Sequence, residues 1–230
     1  MTFDHGVLPG LQYQLLQENA NGSRSYVTPQ GMRYPSVSTV TSILGREAIQ
    51  KWRARVGEAE ANRISSTSST RGNKLHKVCE SYLKNELKEE EVTKGSQTEQ
   101  LFNQIRPLLD QHVTKVYGTE VPLYSDTLKL AGTCDAIVEW DGVLTIIDYK
   151  TSGKPKRREW VQNYFLQCAC YALMTNERTG SRVPQFAVCI ATDGQSQPTV
   201  FQEKTRDYLH DLHSLLITYG TFSRKTVSLY

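Results

Sequence analysis

The chain has 230 residues, of which 38% are hydrophobic, and its formal net charge at pH 7 is +3. This share of apolar residues is ordinary and favours a globular protein with a substantial core. No apolar run approaches the length needed to span a membrane, so no membrane-spanning helix is expected.

The five cysteines are odd in number and include no CxxC pair. We therefore expect reduced, buried thiols and neither a disulfide framework nor a zinc ribbon. No Lys or Arg precedes Arg24, unlike the pattern of a secretory signal or an Arg-rich presequence. We expect a cytoplasmic protein of a bacterium or of a phage-infected cell.

The N-terminal part is predicted to contain a hairpin followed by helices. Strands at about 24–28 and 32–34 flank a turn that contains proline and glycine. Short apolar stripes predict helices over about 36–44 and 47–64. The small polar run 65–70 is consistent with a flexible linker or with an ordered loop that meets phosphates, and we favour the loop.

Two longer helices are predicted next. Residues 71–84 are amphipathic, and His76 and Glu80 share one face because they are four residues apart. Residues 97–116 repeat the helical pattern, with Val113 and Val116 in the buried set.

The remainder of the chain is predicted to form the sheet. Three strands make a meander, in which Asp141 and Gly142 form a tight turn, and a helix, two strands and a last helix capped by Thr205 follow. The strands are predicted at 120–124, 128–140, 143–150, 186–191 and 199–202, and the helix between them at 160–176. This order predicts an α/β (α+β) fold, with a central mixed β-sheet flanked by helices.

Two aspartates and a lysine fall on neighbouring strands of the meander. Antiparallel pairing places Asp135 beside Asp148 or its neighbour, and Lys150 points to the same face as Asp148 because it lies two residues later. Carboxylates that converge in this way suit Mg²⁺, which promotes the hydrolysis of a phosphodiester. A nearby lysine can offset charge in the transition state. We predict a metal site that cuts phosphodiesters.

A D-x-K triplet alone is more often an ordinary ion pair at the end of a strand, because such short patterns occur by chance. Two further features favour the site. Gly132 precedes Asp135 in a second motif one hairpin earlier, and an apolar run, 145–147, leads into Asp148. Charged residues that emerge from buried strands seldom lack a partner.

Four motifs follow one another in a specific order. They are Arg71-Gly72 with His76, Gly132 with Asp135, Asp148 to Thr151, and Gln167 with Tyr171. Their residue types and order resemble the PD-(D/E)xK nuclease superfamily, in its RecB-like exonuclease branch. The Tyr-Pro-Ser-Val-Ser segment at 34–38 also resembles mitochondrial and phage exonucleases of that branch.

The resemblance implies a restriction-endonuclease-like core at 117–230. It further implies that the hairpin and helical region 1–116 forms part of a DNA channel and that the helix 71–86 contributes to the active site of a single compact domain. The cofactor is expected to be Mg²⁺, with Mn²⁺ as a substitute. No iron–sulfur cluster is expected, because the cysteines lack the required spacing.

The resemblance also implies roles for individual residues. Asp135, Asp148, the backbone carbonyl of Tyr149 and His76 would bind the metal, and Lys150 would be catalytic. Gln167 and Tyr171 would position Lys150 or the DNA backbone, and Thr151 would support the site. Glu120 is a possible further ligand, and Glu80 is equally a ligand or a surface acid.

Basic residues lie on both sides of the central motifs. Residues 46–77 contain eight Lys or Arg and three acidic residues. Residues 150–158 contain five Lys or Arg and no acidic residue. Each run alone is as consistent with a solvated face as with nucleic-acid binding. The candidate phosphate contacts are Arg71, Lys74, Lys154, Lys156 and Arg157. Trp160, Tyr164 and Phe165 are predicted to pack, although one of them is able to stack on a base.

We expect a Mg²⁺-dependent DNA exonuclease that favours single strands or duplex ends and acts in DNA replication, recombination or repair. Residues 46–115 would arch over the site, so that a strand with a free end threads beneath. The alternatives are a structure-specific endonuclease, a non-catalytic nucleic-acid-binding protein, and RNA as the substrate. Proteins of replication or recombination are possible partners.

Overall fold

The computed structural model describes residues 1–20 and 22–221, apart from the side chain of residue 89. Its strands are β1 (Asp4–His5), β2 (Leu16–Ala20), β3 (Ser23–Val27), β4 (Arg33–Pro35), β5 (Val113–Ser125), β6 (Leu130–Trp140), β7 (Val143–Ser152), β8 (Gln185–Thr192) and β9 (Thr199–Lys204). Its α-helices are α1 (Val37–Thr41), α2 (Arg46–Val56), α3 (Glu58–Leu83), α4 (Gln97–His112), α5 (Gln162–Thr179) and α6 (Leu209–Tyr219).

Six strands form a mixed sheet in the order β1-β5-β6-β7-β8-β9. β1 is parallel to β5 and β7 is parallel to β8, whereas the other neighbours are antiparallel. The connection from β7 to β8 passes through α5, as a parallel pair requires a crossover. The predicted central mixed sheet flanked by helices is confirmed.

The two middle strands are buried on both faces, which explains their nearly continuous apolar sequence. Ile137 and Ile146 pack with α5 and α6 on one face. Val138 and Ile147 pack with α3 and α4 on the other face. Among the charged residues of β6 and β7, Asp135, Asp148 and Lys150 lie toward the end of the strands away from the β6–β7 turn, and Glu139 lies beside that turn.

A second, three-stranded sheet, β2-β3-β4, is antiparallel, and it confirms the predicted hairpin. Tyr26 and Tyr34 are buried against Tyr124 of β5. Ser36 forms an isolated parallel bridge with Ala131 of β6. The small sheet is thereby fixed beside the start of β6.

Residues 65–70 lie inside α3, so the predicted loop is wrong. Serine and threonine are only moderate helix formers, but the hydroxyl of Thr67 donates to the carbonyl of Arg63 (3.0 Å). Ala61 and Leu75, on either side of the run, are fully buried. Packing at both ends keeps the run helical.

The helix predicted over 97–116 ends at His112, and Val113 and Val116 belong to β5. Their β-branched side chains suit the strand, where they pair with Trp140 and Val138. The division predicted between residues 116 and 117 falls within this strand and stays a prediction.

Two further predictions are wrong. Thr205 does not cap α6, because its hydroxyl donates to the carbonyl of Val183 (3.0 Å) and a 3₁₀ turn, Thr205–Tyr208, precedes the helix. Trp160 does not pack in the core, since it is 58% exposed. Within the described chain, no helix combines the length and apolarity that crossing a membrane requires.

Candidate active site

A cleft of about 520 Å³ opens at the end of the sheet where β7 finishes and β6 begins. Helix α3 forms one wall and the small sheet β2-β3-β4 forms the other. The lining residues that carry polar or charged groups toward the cleft are Arg24, Ser36, Ser38, Asn73, His76, Lys77, Glu80, Glu120, Thr133, Asp135, Lys150, Gln167 and Tyr171. Five of these residues, His76, Asp135, Lys150, Gln167 and Tyr171, come from the predicted motifs.

Three ligand atoms of the cleft lie close together. The side chains of His76, Glu120 and Asp135 each offer one atom, and these atoms are all within 4.8 Å of one another. His76 Nδ1 lies 3.4 Å from Asp135 Oδ1 and 4.0 Å from Glu120 Oε1. This is the density of donors that a divalent cation needs.

His76 is oriented by the backbone of β7. Its Nε2 donates to the carbonyl of Tyr149 (2.7 Å), because a carbonyl oxygen can only accept. The other ring nitrogen, Nδ1, therefore faces the two carboxylates. A backbone acceptor that fixes the tautomer of a histidine in this way is typical of metal sites.

The side chain of Asp135 extends the contact between β6 and β7 beyond their last backbone pair. The register ends at Ala136 opposite Ile147, and Asp135 Oδ2 then accepts from the amide of Tyr149 (2.7 Å). Asp135 therefore lies beside the Asp148–Tyr149 peptide, as the sequence predicted. The backbone N–H of Tyr149 is held by Asp135 and its C=O by His76.

Asp148 and Lys150 form an ion pair beneath this cluster. Asp148 is 1% exposed, and apart from Lys150 neither of its carboxylate oxygens has a hydrogen-bond partner among the described residues. Lys150 Nζ also lies 5.1 Å from the ring centre of Tyr164. A buried carboxylate with so few partners is costly, so this site fits a further cation.

The charges of the cluster shift its pKa values. Partial burial and the charge of Asp135 raise the pKa of Glu120 to about 7. Burial acts to lower the pKa of His76, but the charge and hydrogen bond of Asp135 outweigh it and raise this pKa. Burial acts to raise the pKa of Asp135, but His76 and Lys150 outweigh it and lower this pKa.

The pair beneath the cluster is shifted as well. Burial and the charge of Asp135 raise the pKa of Asp148, against the opposing charge of Lys150. Burial acts to lower the pKa of Lys150, but Asp148 and Asp135 outweigh it and raise this pKa. Lys150 is therefore protonated at neutral pH.

Metal binding at the cluster is expected to weaken as the pH falls through 7. A carboxyl group must lose its proton to bind a cation, and Glu120, with a pKa of about 7, is mostly protonated at pH 6 and mostly ionised at pH 8. Titration calorimetry with Mn²⁺ should give at least about tenfold tighter binding at pH 8 than at pH 6, because His76 must also lose a proton to bind the cation. Glu120→Gln should reduce this dependence to the part that comes from His76, and a variant that keeps the full slope would contradict the role of Glu120.

Gln167 and Tyr171 lie one turn apart on α5, at the floor of the cleft. Gln167 Nε2 donates weakly to the hydroxyl of Tyr171 (3.5 Å). Tyr171 is almost fully buried, and its ring lies against Gly132, where a Cβ would meet ring atoms at 3.0 Å. The glycine of the G-x-x-D motif therefore leaves room for the tyrosine of the Q-x-x-x-Y motif.

Gly132→Ala is expected to destabilise the fold by about 1–3 kcal/mol, because the added methyl group presses on a buried ring. Gly72→Ala is the matched control. A Cβ at Gly72 would meet only Thr151 Oγ1 at 3.8 Å, and alanine favours the helix by roughly 1 kcal/mol. Chemical denaturation should therefore give shifts of opposite sign, and equal shifts would argue against the close approach of Tyr171.

Glu80 and Thr151 both lie near the cleft. Glu80 lines the cleft but pairs with Lys84 (2.6 Å), so it serves at least partly as a surface acid. Thr151 follows Lys150 on β7, close to Gly72 of α3. The helix that carries His76 thus passes the strand that carries Lys150 at this point, with room for a Cβ.

The predicted phosphate contacts lie outside the cleft. Arg71 is largely buried and pairs with Asp193 (2.6 Å), and its contact with a phosphate stays a prediction. Lys74 is exposed on α3, and Lys154, Lys156 and Arg157 lie in the segment after β7. Sequence reasoning missed Arg24 and Lys77 as cations that line the cleft. Arg24 had no signal, because its hairpin is remote from the motifs.

The five cysteines are free and buried, as predicted, and burial raises the pKa of each thiol. They are Cys79, Cys134, Cys168, Cys170 and Cys189. None of them is among the three residues of the candidate metal cluster.

Known proteins share this sequence pattern. The sequence profile of the PD-(D/E)XK nuclease superfamily matches residues 36–219, which include all the motif residues above. Mitochondrial genome maintenance exonuclease 1 of Mus musculus is 29% identical over 134 residues, covering 53% of this chain and 38% of that protein. The Homo sapiens protein of the same name is 30% identical over 146 residues, covering 57% and 39%.

This chain thus matches less than half the length of these relatives. Among solved structures, the crystal structure of SSO0001 matches this chain with a TM-score of 0.41 and 16% sequence identity. The match covers 81% of this chain and 77% of the SSO0001 chain. That likeness is too low to support an argument about the fold.

Proposed function

The chain belongs to the PD-(D/E)XK nuclease superfamily, and from this premise we propose that it is a divalent-metal-dependent DNA exonuclease that hydrolyses phosphodiester bonds in replication, recombination or repair. Membership of the superfamily indicates a hydrolytic nuclease, and the relatives named as exonucleases support the finer assignment. The observation that carries the proposal is the convergence of His76, Glu120 and Asp135 beside the Asp148–Lys150 pair.

The residues present fit a divalent cation. His76 would bind it through Nδ1, and Glu120, Asp135 and Asp148 would bind it through carboxylate oxygens. The Tyr149 carbonyl, which has a second lone pair beside the one that His76 engages, is a further ligand in this proposal. When bound, Mg²⁺ or Mn²⁺ neutralises the charge of the phosphodiester and activates water for its hydrolysis.

Lys150 supplies positive charge to the reaction. Asp148 and Asp135 raise its pKa, which favours the protonated ammonium group. In this proposal the ammonium group donates hydrogen bonds to the oxygens on which negative charge develops. Asp148 and the ring of Tyr164 hold the ammonium group in place. Gln167 and Tyr171 line the same cleft and would position the ammonium group or the DNA backbone.

The segment after β7 supports a preference for unpaired strands. Trp160 is 58% exposed, and the guanidinium of Arg157 lies 5.3 Å from its ring centre. An exposed aromatic ring beside basic residues is the arrangement on which single-stranded bases stack. Lys154 and Lys156 lie just before it and would contact phosphates.

We propose that a DNA strand with a free end threads through the cleft. The strand would pass between α3 and the small sheet β2-β3-β4, with the helices of residues 46–115 on one side. A cleft with walls on two sides admits one strand more readily than a duplex.

A nuclease assay on linear and circular single strands tests this proposal. We expect Mg²⁺-dependent release of nucleotides from linear DNA labelled at either end, and little cleavage of the circle. Equal cleavage of the circle would favour a structure-specific endonuclease, and preference for a matched RNA would change the substrate class. Binding without cleavage in any metal would favour a non-catalytic nucleic-acid-binding protein.

A further inference from the structure

The small sheet β2-β3-β4 brings a cation to the wall of the cleft that faces α3. Arg24 and Tyr26 lie on the same face of β3, since they are two residues apart, and both line the cleft. Tyr26 is 4% exposed and anchors this face, whereas Arg24 is exposed. Arg24 lies outside the residues that the superfamily profile matches.

The backbone of Arg24 is fixed on both sides. Its N–H donates to Thr39 Oγ1 (3.4 Å), and its C=O accepts from the amide of Ser36 (2.9 Å) and from the Thr39 hydroxyl (3.4 Å). Ser36 in turn caps α1 by accepting from the Thr39 amide (3.0 Å). The start of the Arg24 side chain is therefore held at a defined place on the wall.

No residue of the described chain pairs with the guanidinium of Arg24. The other cationic side chains of the cleft have an anion nearby, as Lys150 has Asp148 and Lys77 has Glu91 at 4.0 Å. Among the residues that the structure describes, Arg24 forms no ion pair, side-chain hydrogen bond or ring contact. A fixed backbone with a free guanidinium is suited to an anion that arrives from outside.

Chemistry narrows the identity of that anion. A guanidinium offers five N–H donors in a planar fork, which matches the oxygens of a phosphate. The cleft also holds the carboxylates of Glu80, Glu120 and Asp135, so an anion would enter it together with a bridging cation. A phosphodiester strand that enters for hydrolysis brings phosphates on either side of the bond to be cut.

We propose that Arg24 binds a phosphate of the DNA strand next to the bond that is hydrolysed. This role rests on the proposed nuclease function and deepens it, because it assigns one wall of the cleft to the substrate backbone. Arg24 is a binding residue in this proposal and takes no part in the chemical step.

Arg33 provides a matched control on the neighbouring strand. It pairs in register with Val27, so it lies on the face opposite to Arg24, and it forms an ion pair with Glu18. It does not line the cleft. Arg24→Gln and Arg33→Gln thus remove the same charge from opposite faces of one small sheet.

Binding is measured by fluorescence anisotropy with a fluorescein-labelled oligothymidylate in Mg²⁺, in an Asp148→Asn, Lys150→Met background, which removes both charges of the buried pair and suppresses cleavage. We expect Arg24→Gln to weaken binding about fivefold to tenfold and to reduce the slope of log affinity against log salt by about 0.7, the value for one phosphate contact on a single strand. Arg24→Lys should restore the slope, and Arg33→Gln should change neither quantity. In the active background, Arg24→Gln should raise KM and leave kcat within about twofold.

An unchanged affinity and salt slope in Arg24→Gln would overturn the proposal. A loss of affinity shared by Arg24→Gln and Arg24→Lys, with an unchanged slope, would also overturn it, because it would show a structural role for the position. If the unaltered protein cleaves DNA, and Arg24→Gln has the same DNA affinity and salt slope as the protein that keeps Arg24, only this inference fails. If the unaltered protein neither binds nor cleaves DNA, the proposed function itself fails.

Discussion

Lys150→Met is expected to lower metal-dependent cleavage of single-stranded DNA by about 10²–10³-fold, the usual cost of removing one group that stabilises charge in the transition state. The methionine keeps the length of the side chain but removes its charge. Lys154→Met, four residues later on the exposed segment, is the control and should keep kcat. The measurement is a single-turnover assay on an end-labelled strand.

The same change also removes the partner of a buried carboxylate. Asp148 would be left without its partner at 1% exposure, and breaking such a buried pair costs about 3–5 kcal/mol. A double variant, Asp148→Asn with Lys150→Met, removes both charges and should regain most of the lost thermal stability. Activity should remain lost in both variants. A Lys150→Met protein that cleaves at the original rate would remove Lys150 from the mechanism.

Asp135→Asn is expected to weaken Mn²⁺ binding at least tenfold to a hundredfold and to abolish detectable cleavage, since even partners outside the ligand shell have effects of that size. The substitution separates metal binding from folding. The side-chain oxygen of asparagine still accepts from the Tyr149 amide, so the end of β7 should remain in place. Titration calorimetry and thermal unfolding measure the two effects independently.

Asp141→Asn serves as the matched control for this variant. Asp141 lies at the turn of the same hairpin and pairs with His112 (2.9 Å), far along the strands from the cleft. We expect it to leave Mn²⁺ affinity unchanged. Wild-type metal affinity in Asp135→Asn would show that the ion is held elsewhere.

Local patterns predicted most of the sheet and the central part of the site. The alternation and turn residues around Asp141 and Gly142 fix the hairpin, and the hairpin places Asp135 beside Asp148 and Tyr149 without any other contact. The amphipathic pattern around Leu75 and Cys79 likewise specifies which face of α3 is buried. These features depend on short stretches of chain, which is why sequence reasoning reached them.

Features that depend on packing between distant elements were not predictable in the same way. The hydrogen bond from His76 to Tyr149 requires α3 to cross β7 at Gly72, and the partner of Arg71 is Asp193, more than a hundred residues away. The helical state of residues 65–70 is decided by burial on either side of the run and not by its own composition. Arg24 reaches the cleft only because the small sheet docks on β6.

The wrong predictions that Val113 lies in a helix and that Trp160 packs in the core have a simpler cause. Apolar residues at helical spacing continue past the true end of α4, and periodicity alone does not show where a helix gives way to a strand. For Trp160, the general tendency of aromatic side chains to pack was the only guide. The structure instead leaves its ring exposed beside Arg157.

The backbone of Tyr149 is held at both of its polar groups by residues of the candidate metal cluster, its N–H by Asp135 and its C=O by His76. Fraying of this end of β7 must therefore break both contacts and disperse the cluster in the same event. An ion that binds the cluster opposes that opening, so its binding free energy appears as slower hydrogen exchange at this amide. The Tyr149 amide is thus a natural reporter of metal occupancy that requires neither substrate nor turnover.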